Sequence, residues 1–93
     1  MAMAVLALAG GWALRLSGTE WCIVIFAIAL VLAAECFNTA IEYLTDLVMP
    51  DYHETAGKVK DISAGAVLIC STAAAFTGLV VFGGKLLALL QAG

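Results

Sequence analysis

Residues 21–48, WCIVIFAIALVLAAECFNTAIEYLTDLV, decide the fold. The stretch is uniformly apolar from Trp21 to Ala34 and turns amphipathic at Glu35. At about 1.5 Å per residue a helix of this length reaches about 42 Å, more than the roughly 30 Å of a bilayer's hydrocarbon core. Its polar half must therefore run out into one membrane interface. Within it Glu35, Asn38, Glu42 and Asp46 fall at about 0°, 300°, 340° and 20° around a helix, a stripe less than about 90° wide bordered by Thr39. Phe37, Ile41 and Leu44 lie on the opposite face.

Polar side chains facing lipid are costly, so the stripe is expected to face protein or water. A solvated face of a helix leaving the membrane accounts for Asp46 as well as a functional role does. It accounts less well for Glu35, which follows an unbroken apolar run. Four oxygen-bearing side chains on one stripe also suit a hard cation such as Mg²⁺, which takes carboxylates, water and substrate phosphates.

Outward from this helix the pattern repeats. Upstream, Glu20-Trp21 starts the helix with an acid in its first turn and an interfacial aromatic. Arg15 to Glu20 reads as a turn, and residues 1–14 as an apolar segment short for a span. The chain opens without a basic n-region, so this segment is expected to remain in the mature protein. Downstream, Pro50 breaks the helix. Residues 50–60 read as a loop carrying Asp51, His53, Glu54, Lys58 and Lys60. Residues 62–82 then form an uncharged third segment, rich in small residues such as Ser63, Gly65 and Ala73 that let membrane helices approach closely. Gly83-Gly84-Lys85 is expected to end it, leaving an apolar tail at 86–90.

With 65% hydrophobic and 12% charged residues among 93, the chain holds one domain whose solvent is lipid. The net charge of -3 acts locally, and no basic patch points to nucleic acid. Lys and Arg divide two against two between the membrane sides, so charge does not set orientation. Cys22, Cys36 and Cys70 have no metal or redox spacing and read as small buried hydrophobes.

Helices two and three make a hairpin, which returns Lys60 and Asp61 to the level of Glu42 and Asp46. Lys60 either neutralises one of these acids or contacts phosphate, with Asp61 adding a ligand or fixing the lysine. Carboxylates and a lysine meeting at a membrane interface are the parts of a phosphoryl-transfer site. His53 alone is an ordinary loop histidine, and no Walker-type G-x-x-x-x-G-K-[ST] loop is present.

Taken together, Glu20-Trp21, Glu35-Cys-Phe-Asn38-Thr39-Ala-Ile-Glu42, Asp46, Tyr52-His53, Lys60-Asp61 and Ala64-Gly65-Ala66-Val67-Leu68 resemble the prokaryotic diacylglycerol kinase family, and most nearly its undecaprenol kinase branch. The resemblance covers roughly residues 20–85. It implies an all-α membrane protein with three transmembrane helices per subunit (about 1–14, 21–48 and 62–82), assembled as a homotrimer. Active sites would be shared between neighbours on the cytoplasmic side of the bacterial inner membrane. It also implies a Mg²⁺-dependent kinase passing the ATP γ-phosphate to a lipid alcohol, diacylglycerol or undecaprenol. By motif, Glu35 matches the catalytic base beside the lipid hydroxyl, and Glu42 the metal-binding glutamate. Asp51, Tyr52, His53, Lys60 and Asp61 match nucleotide-contacting positions. Asn38 and Asp46 match residues that support catalysis, and Ala64 a lipid contact. Family members also carry an N-terminal surface helix followed by a second metal-binding glutamate, which this chain lacks. An inactive shortened member is therefore one alternative, and a proton- or cation-coupled transport subunit using Glu35 is another.

Overall fold

A computed structural model describes residues 2–92. It holds three helices in chain order, α1 (Ala2–Leu14), α2 (Gly18–Val48) and α3 (Glu54–Ala92). Together they form a narrow rod of 60 × 19 × 16 Å. The long axis is set by α2 and α3, which lie antiparallel along each other's length. Both are long and apolar enough to cross a membrane, and only 6% of the apolar window of each is buried within the chain. The core helix of a soluble domain would be covered; these surfaces are made for lipid and for other helices. The short α1 has 13 residues, about 20 Å of helix.

Local chemistry fixes the helix ends. Arg15, at φ 56°, closes α1 in the left-handed region. From there Leu16 N–H donates to the Gly11 carbonyl at 3.2 Å and Arg15 N–H to the Trp12 carbonyl at 3.3 Å. This pair of bonds is a Schellman closure with an arginine where glycine is usual. Ser17 then caps α2: its hydroxyl accepts from Glu20 N–H at 3.2 Å, while the Glu20 carboxylate accepts from Ser17 N–H at 2.9 Å. That reciprocal capping box starts the helix at Gly18, two residues before the expected Glu20. At the other end Met49 N–H still reaches the Thr45 carbonyl, at 2.8 Å, before Pro50 stops the helix.

The expected loop at 50–60 is shorter than its composition suggested. His53 caps α3, its Nδ1 accepting from Thr55 N–H at 3.1 Å, and residues from Glu54 onward are helical. Nor do Gly83 and Gly84 end α3. Each glycine costs a helix about 1 kcal/mol, but Lys85 beyond them is tied to Glu20 of α2 at 3.1 Å, and the following leucines are good helix formers.

Among the described residues, the one packed core sits where the three helices meet, at the end of the rod holding Glu20. Leu16, Val24 and Val81 are buried there, with Ala7, Trp21, Ile28 and Phe82 against them. Gly11 makes this junction possible: a Cβ on it would lie 2.8 Å from the Trp21 ring and 2.9 Å from Leu16. The cysteines play no part in a core. Cys22 and Cys36 are exposed and Cys70 is half-buried.

Candidate functional site

The acidic stripe continues the face of α2 on which α1 packs. Trp21, Val24 and Ile28 share with Glu35, Glu42 and Asp46 an arc of about 60°. The first three are covered by the junction with α1. The three acids lie farther along, exposed. On the other flank of the hairpin, Leu30, Phe37, Ile41, Val59, Ile62 and Cys70 line an apolar groove of about 690 Å³. The expected division of α2 into an acidic and an apolar face is therefore present in three dimensions.

Asn38 stands between those faces and is bonded on both sides. Its Nδ2 donates to Glu42 Oε1 at 3.2 Å, and its Oδ1 accepts from the Ser63 hydroxyl of α3 at 2.7 Å. One turn beyond Glu42, Asp46 accepts a short hydrogen bond and ion pair from the Lys60 ammonium. The hairpin thus returns Lys60 to the level of Asp46. Both partners are partly exposed, so solvent screens the pair and its contribution to stability is small, within about 1 kcal/mol. An ammonium has three donors, so two remain for another acceptor.

The other residues singled out from sequence are close by but unjoined. Glu35 is exposed on α2 and, among the described residues, has no side-chain hydrogen bond or ion pair. Asp61 and Ala64 are exposed on α3, and Asp51 and Tyr52 are exposed on the short connection. His53 is engaged through Nδ1 as the α3 cap, so Nε2 is the ring nitrogen left for another partner. Lys58 pairs with Glu54 one turn away at 3.7 Å, on the outer surface of α3.

No three His, Cys, Asp or Glu side chains converge into a metal cage among the described residues. Glu42 offers a single oriented carboxylate instead. That donor set fits Mg²⁺, which commonly takes one or two carboxylates and completes its octahedron with water and substrate phosphates.

Sequence reasoning missed Ser63 as a partner in this cluster, treating it only as a small residue that permits close packing. It is the one buried polar side chain among the described residues, at 7% exposure. No local motif marks it, because its partner is 25 residues away.

An antiparallel pair of membrane-length helices, with carboxylates and a lysine gathered at one end, defines a class: small helical membrane proteins with a polar site at one membrane edge. The comparison with known families makes this particular. Residues 1–82 match the prokaryotic diacylglycerol kinase family, and the chain belongs to it. It is 37% identical over 76 residues to the undecaprenol kinase of Bacillus subtilis, covering 82% of this chain and 62% of that protein. It is 36% identical over 59 residues to the diacylglycerol kinase of Escherichia coli, covering 63% of this chain and 48% of the relative. A diacylglycerol kinase of Synechocystis is 46% identical over 50 residues, 53% of this chain and 29% of its own length. The chain thus spans between about a third and three-fifths of the length of these curated relatives. No solved structure gives a significant match.

Proposed function

We propose that this chain is the subunit of a lipid kinase that transfers the ATP γ-phosphate to the hydroxyl of a membrane lipid alcohol, diacylglycerol or undecaprenol. The observation that carries the reading is the array Asn38–Glu42 and Asp46–Lys60 at one end of a membrane-length hairpin, in a chain of this family. The chemistry follows from the residue types. Glu35 takes the proton of the lipid hydroxyl as the alcohol oxygen attacks the γ-phosphorus and the bond to the β-phosphate oxygen breaks to release ADP, a step in which a placed base contributes about 10²–10⁴-fold. Its position between the apolar run and the polar half of α2 suits an acceptor whose hydroxyl lies just inside the interface.

Lys60, held at this level by Asp46, turns its remaining donors to the phosphate oxygens. Asp51, Tyr52, His53 and Asp61 surround the approach for the nucleotide, with His53 Nε2 as a donor. Glu42, oriented by Asn38, would hold Mg²⁺, which would supply neutralisation of the phosphate charge. Ala64 leaves room beside Asp61 for the lipid.

Among the described residues, Glu35 and Glu42 have no partners across the hairpin, and α3 carries small residues along exposed faces. Both features support a homotrimer of three-span subunits in the bacterial inner membrane, with sites on the cytoplasmic side completed by a neighbour. A panel of lipid alcohols incubated with γ-labelled ATP and Mg²⁺ tests the reading. Label should enter one or more of the lipids and depend on Mg²⁺; no transfer to any of them would overturn the proposal. An unpartnered carboxylate within the apolar helix also suits proton handling. Proton flux in liposomes without ATP would favour that second reading.

A further inference from the structure

We propose that Ser63 is a positioning residue for the acidic site, setting the direction of the Asn38 amide and through it the orientation of Glu42. The inference rests on the reading of Glu42 as the metal-facing carboxylate. It starts from how hydroxyls in these helices are satisfied. Thr45 donates to the Ile41 carbonyl at 2.6 Å and Thr77 to the Ala73 carbonyl at 2.9 Å. Bonding back to the preceding turn is the usual outcome for a hydroxyl in a helix. Ser63 instead crosses to α2 and gives its proton to Asn38 Oδ1 at 2.7 Å.

The direction of the chain of bonds is forced from its acidic end. An ionised carboxylate only accepts, so the Asn38 nitrogen must face Glu42 and its oxygen must face α3. An amide oxygen directed there needs a donor, and Ser63 is the donor present. Without that hydroxyl, Asn38 Oδ1 is left unpaired in the hairpin, or the amide turns and sets oxygen against carboxylate. In either case Glu42 loses a fixed donor and its side chain regains rotamer freedom. Packing of α3 is thereby coupled to the aim of a carboxylate on α2.

The test uses the full chain in detergent micelles, with the Asn38 side-chain amide followed by nitrogen-15 NMR and Mn²⁺ binding followed by electron paramagnetic resonance. Ser63→Ala should shift the Asn38 amide signal and speed its exchange with water. It should also weaken Mn²⁺ binding about tenfold, the lower end of what loss of a ligand-orienting group costs. Added to Asn38→Ala, it should weaken binding no further, because the two act through one path. Ser63→Cys keeps the volume but donates weakly; it should move both readouts the same way by less, and it serves if Ser63→Ala does not fold. An unmoved Asn38 signal, or losses that multiply in the double variant, would overturn the proposal, as would wild-type protein that binds no Mn²⁺. Absence of lipid phosphorylation with the Asn38 response and Mn²⁺ coupling intact would count against the kinase reading alone.

Discussion

The two ends of the α2–α3 hairpin use one device in two settings. Each pairs an acid of α2 with a lysine of α3: Glu20 with Lys85 at one end, Asp46 with Lys60 at the other. The pairs are about 39 Å apart along α2 and about 37 Å along α3, so together they bracket a hydrocarbon core. At the Glu20 end the side chains are about one-quarter exposed, and Glu20 is also held by the Ser17 capping box. A packed cluster with α1 lies directly beside it. At the Asp46 end the side chains are 38% and 59% exposed. The comparison separates architecture from chemistry. One end ties its lysine to the acid that caps α2, beside the three-helix cluster; the other leaves its lysine and two glutamates more exposed to solvent.

Substitutions can break this contrast, and the largest effect is expected at Glu35. Glu35→Gln keeps the shape but removes the base, so the rate of lipid phosphorylation should fall by about 10²–10⁴-fold with the melting temperature unchanged. Full activity in that variant would remove Glu35 from the mechanism. At the structural end, Gly11→Ala places a methyl against Trp21 and Leu16 and should destabilise the fold by about 1–3 kcal/mol, read as earlier thermal unfolding in micelles. A melting curve matching wild type would show that the junction is looser than described. Arg15→Gly should have the smallest effect. It relieves a left-handed backbone costing about 1–2 kcal/mol but adds freedom to the unfolded chain worth about 0.4–1 kcal/mol. A net stabilisation of about 1 kcal/mol or less is expected, and a marked loss of stability would assign the arginine side chain a role of its own.

The contrast between the ends was only partly legible in the sequence. The acidic stripe was, because helical periodicity alone places Glu35, Asn38, Glu42 and Asp46 on one face. The return of Lys60 to Asp46 was legible too, since a hairpin of two long helices has little choice of register. The helix ends were harder. Ser17 and Glu20 carry a capping-box spacing, yet Gly18 and Thr19 between them also read as a turn. His53 was read as a loop residue because histidine seldom caps, so the first turns of α3 were assigned to the loop. Gly83-Gly84 is a local stop that tertiary contacts override. Ser63 could not be found at all, because what singles it out is a bond to another helix that a neighbouring hydroxyl would not make.

The most direct measurement applies the same change at both ends. Lys60→Met and Lys85→Met are compared for transfer of γ-labelled phosphate to lipid alcohol, at a temperature where both variants are folded. Lys60→Met should lose about 10²-fold in kcat/KM, the scale of a lost electrostatic clamp, while Lys85→Met melts earlier but stays within about twofold of wild type. Equal losses at both ends, or a greater loss at Lys85, would contradict the assignment of chemistry to one end and architecture to the other.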